Sequence, residues 1–115
     1  MAPPAYLGEF EQLLLLAVLR LGDEASGAGI ARELEQRAGR TVSRGALYTS
    51  LDRLEDKGLL RWKLASGTPE RDGLPRRVYT VTPAGLAALR AGRAVLRRMW
   101  RGLDGVLNAS KEPLS

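Results

Sequence analysis

The sequence contains no cysteine and no histidine among its 115 residues. These absences exclude disulfide bonds, thiol nucleophiles, histidine general bases and the usual zinc ligand sets. No set of carboxylate, lysine, serine or tyrosine side chains shows a spacing that is typical of a catalytic site. We therefore expect no enzymatic activity, no cofactor and no metal ion.

Long apolar runs are also missing, because the longest one, Leu13 to Leu19, has only seven residues before Arg20. A membrane-spanning helix needs about 20 apolar residues. The N-terminal stretch MAPPAYLGEFE lacks a basic segment and places acidic residues before the apolar run, unlike a signal peptide. We expect a soluble, cytoplasmic protein with no membrane partner.

The charge balance is basic, since 18 Lys and Arg residues against 13 Asp and Glu give a net charge of +5. A basic balance favours polyanionic partners such as nucleic acid. Residues 1–82 carry 12 basic and 11 acidic side chains, whereas residues 83–115 carry 6 and 2. The excess near the C-terminus leaves two interpretations open: a field that attracts DNA, or charges that keep a dimerisation helix soluble.

Apolar periodicity and capping residues predict three helices in the first half of the chain. Residues 9–21 form a helix that is buried on most of its surface. Ser26 is placed to cap a second helix that ends at Gly39. Ser43 is placed to cap a third helix that ends at Gly58, and the leucines of this helix form one buried stripe.

A β-hairpin and one long helix follow these three helices. Residues 60–64 and 76–81 read as two strands joined by a long loop. Thr82-Pro83 is a helix start, and the last helix is predicted to reach about residue 107. Its apolar stripe has no partner within the chain, so a second copy of the protein is the simplest partner. The predicted fold class is mainly α with a small β-hairpin, a winged helix-turn-helix plus a long C-terminal dimerisation helix.

This order predicts four regions: a flexible N-terminal arm over residues 1–7, a DNA-binding winged helix-turn-helix over 8–82, a dimerisation helix over 83–107 and a flexible tail over 108–115. The interface of the homodimer is predicted to bury apolar side chains of the first and last helices. The candidates are Leu13, Leu16, Leu89, Leu96, Met99, Trp100 and Leu103.

On the surface opposite its leucines, the third helix is basic in its first half and acidic in its second half. Its second half carries three carboxylates, which repel phosphates, so its first half should lead into the DNA major groove. The predicted DNA contacts on this helix are Ser43, Arg44, Gly45, Tyr48, Thr49 and Arg53. Structural alternatives stay open for four of them: a helix cap for Ser43, a core edge for Tyr48, a neutral surface for Thr49 and an ion pair for Arg53.

The hairpin loop adds a second basic cluster, formed by Arg71, Arg76 and Arg77. Arginines at such a loop contact phosphates or the minor groove, and the alternative is a solvated turn. The acidic half of the third helix and the near-neutral charge of residues 1–82 also support a different function. In that alternative the chain is a winged-helix protein-interaction module that does not bind DNA.

The segments ALYTSLDRLEDKGLL and RRVYTVTPAGLAAL resemble the PadR family of bacterial winged-helix regulators. The resemblance implies a homodimer in which the C-terminal helix packs with the partner's first helix. It also implies repression at a pseudo-palindromic operator in double-stranded DNA. Family positions that face DNA fall on Ser43, Arg44, Tyr48, Thr49, Arg76 and Arg77. The sequence departs from the family at Ala28, where an aromatic residue is frequent.

The resemblance also suggests a ligand, because short family members bind flat aromatic compounds between the C-terminal helices of the dimer. Met99, Trp100 and Leu103 match that region. Two interpretations stay open for these residues: a pocket for a small aromatic effector, or apolar packing at the dimer interface alone.

Overall fold

The computed structural model describes residues 6–67 and 73–110, and the predicted order of elements is found there. Helix α1 spans Glu9–Leu21, α2 spans Gly27–Ala38 and α3 spans Arg44–Asp56. A short 3-10 turn, Gly22–Glu24, connects α1 with α2. Within the described ranges, no helix combines the length and apolarity that crossing a membrane requires.

The predicted caps begin the helices as expected. The Ser26 hydroxyl accepts a hydrogen bond from the Gly29 N–H at 3.2 Å, and the Ser43 hydroxyl accepts one from the Ala46 N–H at 3.2 Å. Each bond satisfies one of the backbone donors that the first helical turn leaves unpaired. Gly39 follows α2 in the left-handed conformation, with φ of 66°.

The hairpin consists of β1, Leu60–Ala65, and β2, Arg76–Val81, which pair in antiparallel fashion. Its inner end is fixed to the helices, because the Tyr79 N–H donates to the Ala25 carbonyl at 2.9 Å. Its outer end extends beyond the core. Leu64, near this outer end, is therefore 61% exposed.

The core lies between the three helices and the inner end of the hairpin. The predicted leucine stripe of α3 is buried, as are Leu14 and Leu15 of α1, Ile30 of α2 and Tyr79 of β2. Three packed helices followed by a two-stranded wing confirm the predicted winged helix-turn-helix, mainly α with a small β-hairpin.

The last part of the chain begins with α4, Pro83–Trp100, which is tied to the turn after α3. The Thr82 hydroxyl donates to the Gly58 carbonyl at 2.6 Å and accepts from the Gly85 N–H at 3.0 Å. A Cβ atom at Gly85 would lie 2.3 Å from the Leu59 carbonyl oxygen. Only glycine allows α4 to approach the backbone of this turn so closely.

The prediction of one helix to residue 107 is wrong beyond Trp100. Arg101 leaves the helical conformation, and Gly102 has a φ of 82°, which favours glycine. The Leu103 N–H donates to the Trp100 carbonyl at 2.8 Å and closes a turn, after which the short helix α5, Asp104–Ser110, begins. The apolar spacing continues across this turn, so the sequence pattern did not reveal it.

The predicted arm and tail are also shorter than expected in the described part of the chain. Leu7, assigned to the flexible arm, is buried against the core with 4% exposure. Residues 108–110, assigned to the flexible tail, belong to α5. Residues 1–5 and 111–115 lie outside the described residues.

Candidate nucleic-acid interface

A groove of about 700 Å³ lies between the start of α2, the first half of α3 and the hairpin. Four of the residues predicted to contact DNA line it: Arg44 and Tyr48 from α3, and Arg76 and Arg77 from β2. The fold therefore brings together basic side chains that are about 30 positions apart in the sequence.

On the α3 side, Arg44 extends along the aromatic ring of Tyr48. The guanidinium carbon lies 5.7 Å from the ring centroid, within the range of a cation–π contact. Arg44 makes no ion pair with any residue in the ranges 6–67 and 73–110. Its charge is therefore available to an external anion.

Tyr48 lies against the first turn of α2, at Gly27. A Cβ atom at Gly27 would lie 2.1 Å from the Tyr48 Oη and 2.7 Å from its Cζ. The absence of a side chain at Gly27 therefore makes room for the phenol, which is half-buried. Tyr48 thus packs at the edge of the core, which was its structural alternative, and it also lines the groove, so its contact with DNA stays a prediction.

The start of α2 forms a wall of the groove that the sequence analysis missed. Ser26, Gly27 and Ala28 all line it. Backbone N–H groups at a helix N-terminus favour anions. Ser26 and Gly27 are buried and the Gly29 N–H is bonded to the Ser26 hydroxyl, so Ala28 provides the exposed part of this wall. The signal in the sequence was the segment SGAG, in which the cap is followed by three residues with little or no side chain.

The other α3 candidates do not line this groove. Ser43, Gly45 and Thr49 are exposed on α3, and Gly45 has open space where a side chain would stand. Arg53 is near Glu11 of α1, on another side of the helix, where its charge helps to lower the pKa of that carboxyl. Arg71, predicted as a wing contact, lies outside the described residues.

The wing arginines are held against the body of the domain. Arg76 Nη2 lies 3.6 Å from Glu24 Oε2, and the Arg76 Nε is buried without a hydrogen-bond partner among the described residues. The Arg77 guanidinium lies 4.1 Å from the centroid of the Trp62 ring, and its Nη1 is 3.9 Å from Asp52 Oδ1. These contacts differ from the solvated turn that was the alternative for this cluster.

Two further groups have shifted pKa values: Glu11, which lies away from the groove, and Tyr79. Burial would raise the pKa of Glu11, but hydrogen bonds from Lys57 Nζ at 2.7 Å and the Gly8 N–H at 3.1 Å outweigh it and lower the pKa. Burial raises the pKa of the Tyr79 phenol, and the Arg77 charge opposes this rise. The Tyr79 hydroxyl therefore lies beside the Arg77 guanidinium, although no hydrogen bond of normal geometry reaches it within the part of the chain that the structure describes.

The residues predicted for the dimer interface differ in exposure. Leu13 and Leu89 pack partly against the core of their own chain. Leu16, Leu96, Trp100 and Leu103 are exposed, and Met99 is the most exposed of the set at 70%. Trp100 lines a shallow groove with Arg97, Arg101, Asp104 and Leu107, so Met99 and Leu103 are not part of that groove in the single chain.

A three-helix domain with a wing and a basic groove between α3 and the wing defines a winged-helix protein of the helix-turn-helix class. Residues 15–91 match the transcriptional regulator PadR-like family. This match covers most of the chain, which therefore belongs to that family.

The chain is 45% identical over 83 residues to the transcriptional regulator Rv3488 of Mycobacterium tuberculosis, covering 72% of this chain and 73% of that protein. It is similar to the crystal structure of a PadR family regulator from Eggerthella lenta, with 28% identity, a TM-score of 0.63 and 86% of each chain covered. The structure of Bacillus subtilis PadR in complex with operator DNA shares the fold, with a TM-score of 0.59 and 22% identity over 72% of this chain and 47% of that one.

Proposed function

We propose that the protein represses transcription by binding a pseudo-palindromic operator in double-stranded DNA as a homodimer. The observation that carries this proposal is the groove that brings Arg44, Tyr48, the start of α2 and the wing arginines together. The B. subtilis PadR that shares this fold was crystallised with operator DNA, which supports the same type of partner.

The two ends of α3 have different roles in this proposal. Arg44 and Tyr48 lie in its first two turns, beside the α2 N-terminus, where a phosphate or a base edge is favoured. Asp52, Glu55 and Asp56 occupy the later turns. The helix therefore enters the major groove with its N-terminal half, while the wing contacts the adjacent DNA backbone.

A titration of labelled DNA at several salt concentrations tests DNA binding. We expect the wild-type protein to bind a duplex from upstream of its own gene, with affinity that falls steeply as salt rises. Arg44→Ala should weaken binding by about 1–3 kcal/mol if Arg44 reads a base. Arg37→Ala is a suitable control, because Arg37 is exposed outside the groove and pairs with Glu33. No binding at low salt would refute the proposal and favour the protein-interaction module.

The proposed dimer is supported by apolar side chains that the single chain leaves exposed. The set on α4 and beyond comprises Leu86, Val95, Leu96, Met99, Trp100, Leu103, Val106 and Leu107, and α1 adds Leu16 and Leu19. So many exposed large apolar side chains are more typical of an interaction surface than of a monomer. A dimer joined through these helices would place two α3 helices on half-sites about 34 Å apart, or a multiple of that distance.

We further propose that a flat aromatic effector binds near Trp100 in the dimer and relieves repression in the cytoplasm. The support is the partly exposed indole, which lines a shallow groove with Leu107 and the charged side chains of Arg97, Arg101 and Asp104. In a Trp62→Phe variant, Trp100 is the remaining tryptophan, so its fluorescence should change when a planar aromatic compound binds. Unchanged fluorescence across a panel of such compounds, with operator binding retained, would refute the effector site.

A further inference from the structure

Arg77 of the wing is held from two sides by residues of other elements, and the Tyr79 phenol of its own strand also lies beside it. Its guanidinium lies over the Trp62 ring of β1, 4.1 Å from the ring centroid, and its Nη1 lies 3.9 Å from Asp52 Oδ1 of α3. The strand register explains the ring contact, because Arg77 pairs with Leu64 and is a diagonal neighbour of Trp62. The Asp52 contact connects the wing with the recognition helix.

This ion pair lies at the surface of the groove that we assign to DNA. The Asp52 side chain is 60% exposed and the Arg77 side chain 43% exposed. Exposed pairs of this kind change an equilibrium by no more than about fivefold. Asp52 therefore gives Arg77 a preferred position. A stronger anion can replace the Asp52 carboxylate at the guanidinium at a small cost in free energy.

A DNA phosphate in the groove is such an anion. It would compete with the Asp52 carboxylate for the same guanidinium, since both residues line the groove. A carboxylate and a phosphate repel each other, so the two anions cannot share the site favourably. The Trp62 ring does not compete with a phosphate, because a guanidinium can stack on an indole while its N–H groups bind an oxyanion at the edge.

We propose that Asp52 is a positioning residue for Arg77, holding it beside α3 in the DNA-free protein and releasing it to a phosphate when DNA binds. This proposal rests on the proposed DNA-binding function. It implies that Asp52 lowers affinity for all DNA sequences by a similar factor, because a phosphate contact carries no base information. It also implies that the effect of Asp52 depends on Arg77.

Binding measurements on two duplexes test this role: one selected by the wild-type protein from a random pool, and a scrambled version of it. Asp52→Asn should tighten binding to both duplexes by a similar factor, about two- to fivefold. Arg77→Gln should reduce the slope of log affinity against log salt by about 0.9, the loss of one phosphate contact. In the Arg77→Gln background, Asp52→Asn should have a clearly smaller effect, because only the direct repulsion between the carboxylate and the phosphate remains.

Asp56→Asn is the matched control, because Asp56 carries the same charge one turn further along α3 and does not pair with Arg77. It should change affinity much less than Asp52→Asn. Equal effects of Asp52→Asn with and without Arg77 would mean that Asp52 simply repels phosphate, and would overturn the proposal. Weaker binding to the selected duplex alone would mean that Asp52 reads a base, and would overturn it as well.

The NMR signal of the Arg77 side chain provides a second test, which does not require tight DNA binding. The Nε–H resonance of Arg77 should be shifted by the Trp62 ring current in the free wild-type protein. Asp52→Asn should reduce this shift, whereas Asp56→Asn should leave it unchanged. If the wild-type protein binds neither duplex, the proposed function fails. If it binds DNA but Asp52→Asn changes neither affinity nor the resonance, only the positioning role fails.

Discussion

The contact between Gly27 and Tyr48 allows a sharp test, because adding one methyl group to α2 should disturb a residue of α3. A Cβ atom at Gly27 would lie 2.1 Å from the Tyr48 Oη, whereas ordinary contact begins at 3.4 Å. In Gly27→Ala the phenol tip must therefore move by about 1.3 Å, since it is the mobile end of the side chain. A shift of this size would break a hydrogen bond between the Tyr48 hydroxyl and DNA, because hydrogen bonds form only within a narrow range of distances.

Gly27→Ala should therefore weaken operator binding by about 1–3 kcal/mol, the value of one base contact. Folding stability should change little, because Gly27 is the first residue of α2, where alanine gains only part of its helical advantage over glycine, and the displaced phenol is half-buried. Fluorescence anisotropy with labelled operator measures the first quantity, and urea denaturation measures the second. A loss of operator affinity without a loss of stability would separate damage to the DNA-reading surface from damage to the fold.

The Tyr48→Ala background provides the control, because the clash at Gly27 disappears with the phenol. Gly27→Ala should then have no further effect on affinity, so the two substitutions should be strongly non-additive. If Gly27→Ala binds operator as tightly as the wild-type protein while Tyr48→Ala does not, the position of the phenol is not what DNA recognition requires.

Three other predictions concern stability and assembly. Glu11→Gln should cost about 1 kcal/mol at pH 7, because it weakens the contacts with Lys57 and the Gly8 N–H. Since the folded pKa of Glu11 is lowered, this difference should shrink as pH falls from about 4.5 through the folded pKa, as measured by urea denaturation across pH. Tyr79→Phe should raise the free energy of unfolding by about 1 kcal/mol, because it removes a buried unpaired hydroxyl; a clear loss would show that the hydroxyl has a partner. Leu96→Asp should convert the proposed dimer to a monomer on a sizing column, and a dimer of unchanged size would refute this interface.

Local chemistry explains why most of the fold was predictable. The residues Ser26, Ser43 and Thr82 each cap the helix that they were expected to cap. Such caps act within three residues, so the sequence displays both partners of each hydrogen bond. The leucine stripe of α3 was predictable for a similar reason, because helical periodicity places its members on one face.

The candidate site was only partly predictable, because its decisive contacts join distant parts of the chain. Arg44 and Tyr48 were visible as a pair on one helix. The approach of Tyr48 to Gly27 and of Arg77 to Asp52 depends on how α2, α3 and the wing pack together. The turn at Gly102 was missed because the apolar spacing runs through it without a break.

The tight contact between α4 and the turn after α3 affects the geometry of a dimer. At 18 residues, α4 is about 27 Å long. In a dimer joined through the far end of α4, the orientation of each DNA-binding domain depends on the contact between Gly85 and Leu59 at the other end of the helix. From Gly85 to Trp100 the helix is about 22 Å long, so a tilt of about 10° at that contact would displace the far end by roughly 4 Å, slightly more than one base-pair step. The spacing of half-sites would then depend on a glycine that is remote from DNA and from the partner chain.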